Sequence, residues 1–487
     1  MTAHQILSGG WDVLVCSYEF VEASSRKARN LPDELTKYNN RSRVGEGPKR
    51  PNAGISSGFW HQLGIPIKRL ILDEVQVVKK RSGVRHKAIM KLPAKAIVGL
   101  SSTLPHNRWH DMSGYFNFLK SHPFKSHADF MATFVSQDAY GKSVRPDAAR
   151  LRLLQRCLQA VFIARPSSVL KLPPCRRSLV TFELLPGTWK KVDEYTTKYL
   201  QIAVMSAETE GLGFGEKNES VALAYAVIAQ LWSLHPLLGS TAEKARDRKS
   251  ELAQTGRGEV SPGAQFEAED QEARNGEARL LWLQKVEDHD QLVSSSMRLL
   301  SIVSTINQVH EAKPKAKIVV FSQYLKFLDI LDVALRRDVG IKTIRFDGTV
   351  HPQTRRRRLE EFAEEKEGVA LLITAGAGGV GLNITEVSVV LICEEWWNGN
   401  AERQCICQVW RQGRDGGTSV INFHGTNSAI CGVISSGRKA KDRINKELMG
   451  PLVRGDKEPP VILELLHQRG LPPQKIEELD VLMTERF

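Results

Sequence analysis

The chain has 487 residues, enough for two or three domains with cores of their own. It is 41% hydrophobic and 25% charged, with a net charge of +13 that favours a polyanionic partner, nucleic acid above all. Seven scattered cysteines, odd in number and without Cys-x-x-Cys spacing, exclude a zinc finger, a RING module and a disulfide scaffold, and no apolar run approaches membrane-spanning length. The N-terminus lacks a signal-peptide layout, so the expected setting is reducing and intracellular, with no membrane partner.

In chain order, Trp11-Asp-Val-Leu-Val-Cys-Ser-Tyr18 predicts a strand that starts with almost no leader before it. Residues 24–58, rich in Arg, Lys, Asn, Gly, Pro and Ser, predict a surface loop or insertion. Arg69–Leu72 predicts a strand ending on Asp73-Glu74, and Ala96–Leu100 a strand ending on Ser101-Ser-Thr103. Helical periodicity runs from about Trp109 to Leu119. Residues 125–235 are mainly helical by pattern, broken by a strand-like Ser178–Leu184. Residues 239–279 are charged and nearly free of large apolar side chains, which predicts a disordered or extended insertion, and helix returns at 280–311. A second α/β unit follows: strand 317–321, helix 324–336, strand 342–346, helix 352–364, strands 369–373 and 387–392, and a helix near 400–412. Apolar strands alternating with amphipathic helices imply a parallel sheet covered on both faces.

Five segments carry chemistry. Asp73-Glu74 lies at the carboxyl end of a strand, where α/β sheets bind ligands; one carboxylate can hold Mg²⁺ through water and the other can orient an attacking water. Taken alone, such a pair is more often a polar strand end. Leu100-Ser-Ser-Thr-Leu-Pro-His-Asn107 offers hydroxyls that can bond those carboxylates, or is an ordinary turn. Thr374-Ala-Gly-Ala-Gly-Gly-Val-Gly381 lets backbone N–H groups approach an anion closely. Arg355-Arg-Arg-Arg358 opens a helix, and its arginines face several directions. Gln404-Cys-Ile-Cys-Gln-Val-Trp-Arg-Gln-Gly-Arg414 projects Arg411, a candidate arginine finger whose planar fork suits charge on a transferring phosphoryl group. A decoy, Ser136-Gln-Asp-Ala-Tyr-Gly-Lys-Ser143, approaches the phosphate-loop pattern but lacks its first glycine and lies after the acidic strand, so it is rejected.

The order of these segments resembles the Swi/Snf branch of superfamily-two helicase-like ATPases, over about residues 11–447. Leu72-Asp-Glu-Val-Gln76 resembles the family's acidic motif, Leu100–Asn107 its third motif and His235-Pro236 its helical His-Pro mark. Phe321-Ser-Gln323, Asp347-Gly348 through Arg355, Thr374–Asn383, Trp397-Asn398 and Gln404–Arg414 resemble its second-lobe motifs, in order.

The resemblance implies an α/β fold of two RecA-like lobes with parallel sheets, the first incomplete, joined by helical insertions. The implied boundaries are 1–124 for the partial first (ATP-binding) lobe, 125–300 for a helical connector with the insertion about 239–279, 301–450 for the second (helicase C-terminal) lobe and 451–487 for a tail. It implies ATP and Mg²⁺ as cofactors, with Asp73 on the metal through water, Glu74 on the attacking water and Arg411 completing catalysis across the cleft. Thr103, Gly379, Gly381 and Gln404 would couple the motifs to nucleotide. Thr374, Arg355 and Trp397 would contact DNA, the partner being duplex or nucleosomal DNA. The implied role is an ATP-dependent DNA translocase of chromatin remodelling or DNA repair, working in the nucleus.

Departures from the pattern accompany the match. No phosphate loop with its lysine is found, and it is expected upstream of Trp11. Gln408 stands where the last motif carries its first arginine, and Arg414 where it ends on glutamine. In the third motif Ser102 replaces a glycine and Leu104-Pro105 the usual Pro-x. Two readings stay open: the surviving part of an ATPase whose nucleotide loop lies on upstream sequence, or a non-catalytic relative that binds DNA or a partner.

Overall fold

The computed structural model describes residues 10–26, 67–102, 109–119, 122–137, 143–208, 215–254, 276–378 and 386–454, apart from isolated positions. The chain divides into two units, Met1–Ala164 with Ile444–Phe487, and Arg165–Arg443. No helix among the described residues is long and apolar enough to cross a membrane.

In the first unit, β1 (Ile67–Leu72) and β2 (Ala94–Gly99) pair in parallel, Ile67 opposite Ala94 and Leu72 opposite Gly99. The connection between them holds a 3₁₀ turn (Val75–Val78) and α1 (Val84–Met90). Helices α2 (Met112–Phe116), α3 (His127–Phe134) and α4 (Ala148–Gln159) follow. Ser126 and Asp147 start α3 and α4 by accepting the Asp129 and Arg150 backbone N–H groups, satisfying donors that no helical carbonyl reaches. Phe116, Phe124, Phe130 and Phe134 are fully buried in one aromatic core, with Leu154, Leu158 and Leu448. At Gly114 a Cβ would lie 1.7 Å from the Lys79 carbonyl oxygen, so only glycine lets α2 meet the segment that follows the acidic motif.

The expected strand at Trp11–Tyr18 is not formed. Residues 11–17 are irregular and helix begins at Tyr18. Val13 and Val15 are exposed, no strand among the described residues pairs with the run, and the segment is tied down by the Tyr18 hydroxyl donating to the Asp73 carbonyl at 2.7 Å. The rejected decoy forms a short antiparallel ladder, β3 (Ser136–Gln137) with β4 (Ser143–Val144), instead of the strand–loop–helix a phosphate loop requires.

The second unit is built on a six-stranded, all-parallel sheet in the order β5-β10-β9-β6-β8-β7. The strands are β5 (Cys175–Phe182), β6 (Lys317–Ser322), β7 (Lys342–Phe346), β8 (Val369–Thr374), β9 (Val389–Ile392) and β10 (Thr418–Gly425). Helices α5 (Pro186–Glu208), α6 (Gly215–Leu234), α7 (Pro236–Gln254), α8 (Gly276–Glu287) and α9 (Met297–Ala312) separate β5 from β6. They are followed by α10 (Leu325–Ala334), α11 (Pro352–Glu364), α12 (Gly399–Val409) and α13 (Ala429–Arg454). The central strands β6, β8 and β9 are buried on both faces, which explains their unbroken apolar sequences.

The strand-like stretch near Ser178 is thus the edge strand of this sheet, and β10, which no apolar run announced, lies inside it. The insertion expected at 239–279 begins as helix α7, whose start is set by His235: its Nδ1 accepts the Leu237 N–H at 3.1 Å while Nε2 donates to the Leu292 carbonyl at 2.8 Å. That pairing, with burial pushing its pKa down to about 4, makes His235 of the His-Pro pair a neutral helix-start residue. Residues 255–275 lie outside the described ones.

Candidate functional site

In the first unit the acidic pair sits where the sequence places it, at the carboxyl end of β1. Glu74 adopts a left-handed backbone, φ +50° and ψ +53°, unfavourable for a residue with a Cβ and typical of positions held for function. Its backbone N–H donates to Asp73 Oδ1 at 3.0 Å, and its Oε2 accepts from Gln76 Nε2 at 2.6 Å. Gln76 Oε1 in turn accepts from the Ser101 hydroxyl at 2.7 Å. The acidic motif and the Ser-rich turn after β2 are therefore joined through the buried Gln76, whose role no local pattern signals. Asp73 is exposed and Glu74 partly so, which leaves the pair within reach of solvent and of a hydrated cation. Thr103 lies outside the described residues.

In the second unit the motifs converge on the carboxyl ends of β6, β8 and β9. Ser322 stands opposite Thr374 in the β6–β8 ladder, and Phe321 opposite Ile392 in the β6–β9 ladder. Glu394, just beyond β9, accepts from the Ser322 hydroxyl at 3.0 Å and the Gln323 N–H at 2.6 Å, so the Phe-Ser-Gln motif is tied to the segment that follows β9. Gln230 of α6 is the second tie: its Oε1 accepts from Tyr324 Oη and Trp397 Nε1, and its Nε2 donates to the Glu395 carbonyl. The Trp397 ring meets Tyr199 edge to face, so this expected DNA contact has much of its side chain committed to internal packing. Asn398 caps α12 by accepting from the Asn400 and Ala401 N–H groups.

The arginines sort differently. Arg355 donates to the Val350 and Asp347 carbonyls, which fixes the Asp-Gly turn. Arg356 and Arg358 pair with Glu360 and Glu361 along α11, while Arg357 is exposed. Arg411 does not project from the helix as expected. α12 stops at Val409, Trp410 donates its Nε1 to the Pro173 carbonyl, and Arg411 stands exposed on the loop beyond. Gln404 and Gln408 are buried in α12, and the Gln408 carbonyl accepts from Ile384 N–H. Gly379 and Gly381 lie outside the described residues.

Beneath this rim lies a cluster that sequence reasoning missed. Arg298 at the start of α9 is buried; it donates to the Ser233, Cys393 and Phe423 carbonyls and to Cys431 Sγ, and stands 3.5 Å from Glu395 Oε2. His424 Nδ1 lies 2.6 Å from the other Glu395 oxygen. Burial opposes ionisation of Glu395, but Arg298 and His424 overcome it and hold the carboxyl down at about 2. The same Glu395 hydrogen bond raises His424. For Glu394 burial prevails over its hydrogen bonds and pushes the carboxyl up to about 7. Glu395, His424 and Cys431 place three ligand-type atoms within 4.8 Å of one another. The Arg298 guanidinium already supplies the cation there, and a divalent ion beside a buried arginine would be repelled, so the cluster is an ion-pair network and not a metal centre. A faint signal existed: β9 ends on two adjacent acids, as β1 does.

Against this geometry stand the relatives. A SNF2-related domain model matches residues 1–229 and a helicase conserved C-terminal domain model matches residues 299–413. The DNA repair protein RAD5 of Cryptococcus neoformans is 38% identical over 122 residues, 25% of this chain and 10% of that protein. The DNA repair protein rad8 of Schizosaccharomyces pombe is 36% identical over 121 residues, again 25% of this chain and 10% of that protein. The matched stretches thus span a tenth of these relatives' length. A solved Sulfolobus solfataricus SWI2/SNF2 ATPase core in complex with dsDNA is 16% identical, covers 80% of this chain and 71% of its own, and superposes with a TM-score of 0.34. Parallel α/β sheets, the motifs gathered at their strand ends and the two domain matches agree: the chain belongs to the Snf2 family of helicase-like proteins.

Proposed function

We propose that this chain works on duplex DNA in DNA repair, as part of an ATP-driven Snf2-type translocase acting in the nucleus. The observation that carries the reading is the acidic pair at the end of β1, joined through Gln76 to the Ser-rich turn: a carboxylate site linked by hydrogen bonds to the next strand end. The donors suit a hydrated Mg²⁺, since an exposed aspartate and a partly exposed glutamate leave the ion its waters. Asp73 would hold Mg²⁺ of an ATP complex, which supplies charge neutralisation, and Glu74 would orient the attacking water. Arg411, exposed and free of the helix, is the arginine that would face a phosphoryl group. Nucleosomal DNA is one form of the same duplex substrate.

A phosphate loop wraps the β- and γ-phosphates with backbone N–H groups and a lysine, and residues 1–487 contain no such sequence. The polypeptide 1–487 by itself is therefore expected to show no duplex-stimulated ATP hydrolysis. Extended upstream by a segment supplying the loop, it is expected to turn over ATP, and Glu74→Gln and Arg411→Ala should each reduce that rate at least tenfold, on the order expected for water-positioning and finger residues. Robust duplex-stimulated turnover by residues 1–487, abolished by Glu74→Gln, would show that phosphates are anchored without the loop and overturn this assignment.

A further inference from the structure

A pocket of about 310 Å³ opens in the first unit, lined by Ser25, Arg81, Val84, His86, Lys87, Met90, Lys91 and Asn117, with neither Asp73 nor Glu74 in its lining. Three of these are cations, and no carboxylate stands among the described lining residues. Cations nearby are dealt with differently. Arg85 pairs with Glu19 and Glu22, and Lys79 with Asp111. Arg81 and Lys87 form no salt bridge with any described carboxylate. Arg81 is anchored by Nη2 on the Lys125 carbonyl at 3.2 Å, while its Nη1 is buried without a hydrogen-bond partner among the described residues. Asp129 attracts Arg81 from outside the lining, but its carboxylate accepts the Lys125 N–H at 2.8 Å. A buried guanidinium nitrogen left without an acceptor calls for one.

The pocket's wall is fixed. His86 Nδ1 lies 2.6 Å from the Val78 carbonyl, so that nitrogen carries the proton, and Nε2 accepts from Asn117 Nδ2 at 2.7 Å. The ring stacks on Phe118 at 4.5 Å, and burial lowers its pKa, so it adds no charge. A guanidinium fork, two ammonium groups, a hydroxyl and an amide offer more donors than the two oxygens of a carboxylate can use. They match the three oxygens and higher charge of a phosphate. The volume exceeds that of a bare phosphate, and the half-exposed Val84 and Met90 give an ester's organic part an apolar wall.

We propose that the Arg81–Lys87–Lys91 pocket binds a phosphate group, carried either on a soluble phosphate compound or on the backbone of duplex DNA. The assignment does not rest on ATP hydrolysis or on the acidic pair. Lys87 is exposed on α1, so Lys87→Glu reverses a pocket charge without disturbing the core; Lys285→Glu makes the same charge change on an exposed residue of the second unit. Two measurements on the 487-residue chain decide. In the first, thermal unfolding is compared in inorganic phosphate and in chloride at equal ionic strength. In the second, binding of a short labelled duplex is followed against salt.

For the pocket to hold a phosphate, phosphate must raise the unfolding midpoint of the wild type and of Lys285→Glu but not of Lys87→Glu, or Lys87→Glu must flatten the log–log salt slope by about one relative to Lys285→Glu. The first outcome alone identifies a soluble phosphate compound, and the second identifies the duplex backbone. If Lys87→Glu matches Lys285→Glu in both measurements, the pocket is not a phosphate site. Failure of the wild type to bind duplex at all would count against the proposed function and leave the phosphate comparison to decide this site.

Discussion

The chain ends two parallel strands on adjacent acids and gives the pairs opposite surroundings. After β1, Asp73 and Glu74 face solvent, held by a strained backbone and one glutamine. After β9, Glu394 and Glu395 are buried, one tied to β6 and the other to Arg298 and His424. The sheets differ in the same sense. β6, β8 and β9 are covered on both faces, whereas in the first unit Ile71 is 61% and Leu100 48% exposed. The same two-letter signal therefore marks a site open to a ligand in one place and an internal clamp in the other. Burial and the presence of a cation partner decide which.

The largest effect is expected at Arg298. Replacing it with Met leaves Glu395 buried without its cation and three carbonyls without their donor, so a loss of about 3–5 kcal/mol is expected in urea unfolding. A loss below about 1 kcal/mol would mean that the cluster is not a clamp.

The two buried acids should next separate by the sign of their pH dependence. Glu395 is held at about 2 in the fold against an ordinary 4.5, so its stabilisation is complete above pH 4.5 and is lost as pH falls through about 2. The shift corresponds to about 3 kcal/mol. Glu394 is raised to about 7, so its protonated form favours the fold, and stability falls as pH rises from 4.5 through about 7. Unfolding free energies measured from pH 3 to about 8 should therefore lose their acid dependence in Glu395→Gln and their decline toward neutrality in Glu394→Gln. Parallel profiles for the two variants would contradict the assignment.

A smaller effect is expected at the exposed pair. Glu74→Ala and Glu74→Gly both lose the Gln76 hydrogen bond, but only glycine relieves the left-handed backbone. Glu74→Gly should therefore be more stable than Glu74→Ala by about 1 kcal/mol, the reverse of the usual order. Equal stabilities would remove the case for strain at this position.

Much of the second unit was legible in the sequence because its strands are buried on both faces: Lys317–Phe321 and Val369–Ile373 are unbroken apolar runs that define themselves. β10 was not legible. Thr-Ser-Val-Ile-Asn-Phe-His-Gly mixes polar and apolar residues without an unbroken apolar run or a clean period of two, and its pairing with β5 and β9 makes it a strand. Trp11–Tyr18 failed in the opposite way, since an apolar run cannot show whether a partner strand exists. The motifs located Asp73, Glu74, Phe321-Ser-Gln323 and Trp397-Asn398, but not the residues that connect them. Gln230 and Arg298 act across separations of 94 to 167 and 65 to 133 residues, and no local period encodes such a partner.

Titration of duplex binding with salt tests most directly the proposed action of this Snf2-family chain on duplex DNA. With a net charge of +13, the chain should bind unrelated duplexes with closely similar affinity, and log Kd should rise linearly with log salt, with a slope of several units from counterion release. Binding that is indifferent to salt, or no binding at low salt, would contradict the account.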